Sequence, residues 1–229
     1  MKIRILAAGI VALAGAVSAG AATVDLGGYT LTYDETSVLG HYSSSYGSSG
    51  NEVGFNWNLP TSINVVSVGS PASASFALPD FTITANAGYT LSGPLTGFLG
   101  NLVYTEVGAG ATTSASATAD VVVNGLPLGS TGGSLDRLET VSFTNGSSGY
   151  YGSTTTVPAG SFSSFAVSNF VLSLSASGGT FASILAQPQN ELKISFFATP
   201  VPEPETYAML LAGLGLIAGI MKRAKKGAA

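Results

Sequence analysis

The chain has 229 residues, of which only 9% are charged, with one histidine and no cysteine. That length makes one main domain the starting expectation, and the missing cysteine excludes disulfides and thiolate metal sites, so the core itself must hold the fold together. Six of the eight bases lie at the two ends, which leaves residues 23–199 with ten acids against two bases, a net charge of −8; such a middle repels a phosphate backbone and argues against a nucleic-acid partner.

In chain order, residues 1–22 have the pattern of a signal peptide. Lys2 and Arg4 precede an uncharged apolar run from Ile5 to Val17, and Ser18–Ala19–Gly20–Ala21–Ala22 supplies small residues for signal peptidase, with cleavage expected after Ala19, Ala21 or Ala22. Residues from about Thr23 onward are therefore expected outside the cytoplasmic membrane.

Residues 23–199 alternate with a period of two, the mark of strands with one buried face. Tyr29, Leu31 and Tyr33 share a face, as do Val53, Phe55, Trp57 and Leu59. So do Phe81, Ile83 and Ala85; Phe170, Leu172, Leu174 and Ala176; and Leu192, Ile194, Phe196 and Ala198. Further strands are expected at 63–68, 99–106, 113–124 and 136–144, with Val121–Val122–Val123 apolar on both faces. Turn signals fall at 43–51, Asn124–Gly125, 129–133, Asn145–Gly146 with the following Ser147–Ser148–Gly149, and Ser177–Gly178–Gly179; Asn-Gly and Gly-Gly tolerate positive φ and suit hairpins. Short alternating strands with such punctuation predict an all-β fold, an antiparallel β-sandwich, flanked by a signal helix and a short C-terminal transmembrane helix.

The last segment, 200–229, has three parts in order. Pro202 and Pro204 stiffen an exposed peptide. Residues 207–221 follow, uncharged and apolar all round, so a helix here cannot lie on a globular surface. Fifteen residues reach about 22 Å, against a hydrocarbon core of about 30 Å. Lys222, Arg223, Lys225 and Lys226 form a basic tip that the positive-inside rule keeps in the cytoplasm. Gly215 and Gly219 form a GxxxG that lets another helix approach.

The run Val201–Pro202–Glu203–Pro204–Glu205–Thr206–Tyr207–Ala208–Met209–Leu210–Leu211, with its basic tip, resembles the PEP-CTERM sorting signal; Tyr207 stands where that signal often has Trp. The resemblance implies a bacterial exported protein recognised by an exosortase. It implies that Val201, Pro202, Glu203 and Pro204 carry recognition rather than catalysis. It further implies an inner-membrane-anchored precursor passed to the cell surface or to an exopolysaccharide or biofilm matrix.

In the middle, chemistry has few candidates. His41 lies in a Ser/Tyr/Gly-rich loop after Asp34–Glu35, but no Gly-x-Ser-x-Gly elbow exists for a triad. A zinc site lacks ligands, and no Asp-x-Asp-x-Asp-Gly run marks a calcium loop. Asp136 and Glu139 flank Arg137 as a solvated local charge cluster. Tyr42, Tyr46, Tyr150 and Tyr151 are expected in loops, where they order the chain or stack on sugars. Asn145–Gly146–Ser147 matches a glycosylation pattern that a bacterial protein does not use. No cofactor is expected. The leading expectation is a non-enzymatic surface or matrix protein; the alternatives are a carbohydrate-binding module of the same matrix and a secreted polysaccharide hydrolase.

Overall fold

The computed structural model describes residues 20–47, 51–188, 191–202, 209–214 and 216–217. Residues 1–19 of the predicted signal peptide and the basic tip lie outside the described residues, whereas Ala21 and Ala22, expected at its cleavage end, open the first strand. Within them, sixteen strands form two antiparallel sheets.

The seven-stranded sheet runs β1 (Ala21–Asp25), β2 (Tyr29–Asp34), β7 (Phe81–Ala85), β14 (Ser164–Ser177), β9 (Thr112–Val123) and β10 (Leu126–Ser134), with β6 (Ala72–Ala77) also beside β14. The nine-stranded sheet runs β11 (Asp136–Phe143), β12 (Gly146–Val157), β8 (Tyr89–Val107), β16 (Glu191–Pro200), β4 (Glu52–Asn58) and β3 (Ser44–Gly47). In the same sheet β13 (Ser161–Phe162) pairs with β8, and β15 (Phe181–Leu185) bridges β8 and β5 (Asn64–Ser67).

The alternation translates directly into burial. Tyr29, Leu31 and Tyr33 are buried, as are Phe55, Trp57 and Leu59, Phe81 and Ile83, Leu172, Leu174 and Ala176, and Leu192, Ile194, Phe196 and Ala198. Aromatic rings join the sheets: Tyr29 meets Phe196 edge-on at 4.8 Å, and Trp57 lies 5.7 Å from both Tyr33 and Phe81. Every buried apolar side chain among the described residues falls between Tyr29 and Ala198, so residues 20–202 hold that core complete.

The turn signals map less directly onto turns. Asn124 (φ 51°) and Gly125 (φ 77°) make the two-residue hairpin between β9 and β10, as their sequence suggests. Gly178 and Gly179 also turn with positive φ, but they carry the chain from one sheet to the other rather than closing a hairpin. Residues 129–133, expected as a turn, belong to edge strand β10. A bulge between Pro127 and Gly129 resets the register there, and Gly132 lies so close to the Ala117 carbonyl that a Cβ would collide with it. At the β11–β12 hairpin the turn is Thr144–Asn145, not Asn145–Gly146. Gly146 already pairs with Phe143, and Ser147–Gly149 continue the strand. Strand β8 is far longer than the predicted 99–106, because Gly93, Pro94 and Gly97 hide its first half; β16 shifts register between Ser195 and Phe197 to pass the proline.

The predicted helix at 207–221 lies only partly within the described residues. The described helical residues are 209–214 and 216–217, and among the described residues no helix is long and apolar enough to cross a membrane. Met209, Leu210, Leu211, Leu214, Leu216 and Ile217 are all exposed.

One glycine sets how closely β4 approaches its neighbours. A Cβ on Gly54 would collide with the Ile194 carbonyl and the Tyr46 ring. Gly54→Ala is expected to cost about 1–3 kcal/mol, the range for overpacking. The check is a fall in the urea midpoint at unchanged slope.

Candidate functional site

The sorting segment leaves the sandwich abruptly. Thr199 and Pro200 still pair with Thr90 and Tyr89, and the Val201 amide donates to the Gly88 carbonyl at 2.8 Å. Val201 and Pro202 are then exposed. Of the predicted recognition residues, these two are placed at the end of β16. Glu203 and Pro204 lie outside the described residues, as do Lys222, Arg223, Lys225 and Lys226.

Inside the domain, the polar residues singled out above are spread apart. His41 is 78% exposed; its Nδ1 lies 2.8 Å from Glu35 Oε1 and 3.5 Å from the Tyr33 hydroxyl. No serine stands among those neighbours. Among the described residues, no three His, Asp or Glu side chains gather as metal ligands would.

Arg137 corrects the expectation of a solvated cluster with Asp136 and Glu139. It reaches from edge strand β11 to buried Glu106 on β8 in a two-pronged ion pair: Nη2 meets Oε1, and Nη1 donates to Oε2 at 3.0 Å. The Thr113 amide (2.6 Å) and hydroxyl (2.8 Å) also donate to Oε1, and Ser147 to Oε2 (3.1 Å). Arg137 Nε donates to the Tyr151 hydroxyl, which donates to the Thr113 carbonyl at 2.6 Å. The guanidinium sits 4.6 Å from the Tyr104 ring centre and 5.5 Å from that of Tyr151. Burial pushes the Glu106 carboxyl up, but Arg137 and Thr113 outweigh it and leave the group below the usual carboxylate range. The hydrogen bonds to Glu106 raise the guanidinium above its own ordinary value. Both partners are thus held charged and fully occupied, an arrangement that ties an edge strand to the core rather than one that offers an acid or base to a substrate.

The tyrosines expected in loops are also engaged. Tyr151 is buried in β12 within the Arg137 network. Tyr42 packs edge-on against Tyr33 at 5.9 Å. Tyr46 belongs to β3, lies against Gly54, donates to the Ile194 carbonyl at 3.2 Å and has the Lys193 ammonium 4.5 Å from its ring centre. Tyr150 is half-buried in β12. The two bases of the middle, Arg137 and Lys193, therefore both rest on tyrosine rings.

What sequence reasoning passed over is the outer face of the seven-stranded sheet, a broad array of hydroxyls. Register aligns Ser73, Ser175 and Ser114 across three strands, and Ser75, Ser173, Ser116 and Ser134 across four. Thr23, Thr32 and Thr82 form another row. Neighbours bond laterally: Ser114 to Ser175 at 2.8 Å, Thr112 to Ser177 at 2.9 Å, and Ser75 to Ser173 at 3.2 Å. The signal was present in the Ser/Thr–Ala stretch near residues 109–119, whose period of two sends Thr112, Ser114 and Thr118 out and Thr113, Ala115 and Ala119 in.

No curated protein matches the sequence. Among solved structures, the enzymatically active domain of bacteriophage CBA120 tailspike protein 4 is 15% identical, with 77% of this chain and 20% of that one covered and a TM-score of 0.20. The chain thus spans about a fifth of that domain's length. TmCBM27, described as a carbohydrate-binding module with specific mannan recognition, is 6% identical, with 70% of this chain and 86% of that one covered and a TM-score of 0.17. Neither likeness is close enough to carry an argument. The C-terminal segment is different: residues 200–226 match the PEP-CTERM protein-sorting motif, so the chain carries that motif directly after its β-sandwich.

Proposed function

We propose that the chain is an exosortase substrate whose sandwich is delivered to the cell surface and serves there as a non-enzymatic component of the extracellular polysaccharide matrix. The observation that carries this reading is the sorting motif at 200–226, which starts on the last residue of β16 and leaves the sheet after the Val201 amide's bond to Gly88. A cut beyond Val201 leaves every strand in place, so the released product is the intact sandwich. In this reading Val201, Pro202, Glu203 and Pro204 are what the sorting enzyme recognises, and the basic tip holds the precursor in the membrane until cleavage.

Two features favour a structural over a catalytic role at the destination. The buried acid, Glu106, is saturated by its ion pair and hydroxyl donors. Three of the four tyrosines considered for sugar stacking, Tyr42, Tyr46 and Tyr151, are packed or capped, while the outer face of the seven-stranded sheet offers aligned hydroxyls suited to many weak contacts with a neutral polymer.

Changing Pro202, Glu203 and Pro204 together to alanine tests the reading in cells that carry the sorting enzyme. The expected result is an uncut precursor in the inner-membrane fraction and loss of the surface-delivered form. Unchanged mass and unchanged surface delivery would remove the motif from the account.

A further inference from the structure

The two sheets are not filled to the same degree along their length. Around Trp57, Phe55, Phe81 and Phe196 the space between them is packed with rings. Towards the β10–β12 side small residues face each other, and a cavity of about 110 Å³ remains. Ala117 and Ala119 wall it from β9 and Gly97 from β8. A Cβ on Gly133 in β10 would meet nothing within 4 Å. Leucine, valine, isoleucine and phenylalanine side chains supply most of the remaining wall.

A cavity walled this way holds water poorly, because a water needs two to four polar partners; an apolar cavity of about 150 Å³ stays dry and admits benzene. By that measure this one takes about four carbon-sized atoms. Its solvent end carries hydroxyls: Thr131 and Ser153, half-exposed, and Thr155, exposed. No charged side chain lines it. The two bases of the middle are held elsewhere, Arg137 by Glu106 and Lys193 on Tyr46. A carboxylate at the mouth would therefore find an acidic domain with no cation to meet it.

We propose that this inter-sheet cavity binds the end of one short, neutral aliphatic chain that carries an alcohol or ester oxygen at its outer end. The alkyl part replaces empty space between the sheets, and the oxygen meets the hydroxyls at the mouth. The site is independent of the sorting reading, because it lies wholly within residues 20–202.

The test is a titration of the 20–202 domain with ethanol, propanol, butanol and pentanol, followed by amide NMR shifts. Saturable shifts are expected at residues 131–135 and 153–157. Affinity should rise about fourfold per methylene, the value of a buried CH₂, and flatten once the cavity is full. Butanoate should bind at least ten times more weakly than butanol. Ala119→Leu fills the space and should abolish the saturable shifts. Shifts that grow linearly without saturation, equal binding of butanoate, or full binding by a folded Ala119→Leu variant would each overturn the proposal. Should that variant fail to fold, the chain-length series and the butanoate comparison on the unaltered domain decide the matter.

Discussion

Truncating Trp57 to alanine is expected to remove about 3–5 kcal/mol of stability, the range for deleting a large buried aromatic. The ring is fully buried and stands between the sheets, 5.3 Å from Phe55 in its own sheet and 5.7 Å from Tyr33 and Phe81 in the other. Against a typical total of about 5–15 kcal/mol, a loss of that size takes a third or more of what holds a domain together. Trp57→Phe should cost less than half as much. It leaves a smaller void, and it deletes the indole N–H, which is buried without a hydrogen-bond partner. Because this is the chain's only tryptophan, urea unfolding of the variants is followed by circular dichroism. A loss below about 1 kcal/mol for alanine would show that the sheets are held together elsewhere, since that is less than the ring's own burial should contribute.

That cluster could be placed from the sequence because its members obey a period of two. Phe55, Trp57, Phe81, Ile83, Leu192, Ile194 and Phe196 alternate with polar or small residues, Phe197 being the one exception, and the pleat sends all seven inward. Where the period is interrupted, legibility fails. Gly93–Pro94 and Gly97 break the pattern of β8, yet the strand continues through them, with the extra residues 93–95 set opposite Phe196 alone where the register shifts. Gly132 looks like a turn residue, but it is a place where two backbones come too close for a side chain. Its φ of 127° is positive as well, so both reasons for glycine coincide there, and only the partner strand reveals the second.

The functional features divide in the same way. The sorting motif is contiguous, so its recognition needed no fold. The Arg137–Glu106 network joins residues 31 positions apart with Thr113, Ser147 and Tyr151, and nothing local announces it. Asp136 and Glu139 are nearer to Arg137 in sequence, which is why they drew it into the wrong partnership on paper. Strand β11 lies at the edge of its sheet with all eight residues exposed at their surfaces, and the long arginine side chain bends back over β12 to reach the carboxylate on β8.

Arg137→Ala is accordingly expected to cost about 3 kcal/mol, the low end for breaking a buried pair, because the arginine side chain is itself partly open to solvent. Glu106 is the partner left buried without its counter-ion. The effect of pH supplies a check that lost packing would not reproduce. In the wild type the Glu106 carboxyl lies below its ordinary value of 4.5, so its contribution is present above that value and drains away as the pH falls through the folded-state pKa. Without the guanidinium, burial still pushes the carboxyl up while only Thr113 holds it down, so the group moves up from its wild-type position. The variant therefore has less of this group's contribution to lose on acidification than the wild type. Urea midpoints of wild type and Arg137→Ala measured from pH 7 down to pH 3 should therefore converge, with the gap largest at neutral pH. A gap that stays constant across that range would mean the arginine acts through its hydrocarbon stem and tyrosine contacts alone. Replacing both partners, Arg137→Met with Glu106→Leu, should recover much of the loss, since an apolar pair of similar bulk removes the buried charge together with its counter-ion.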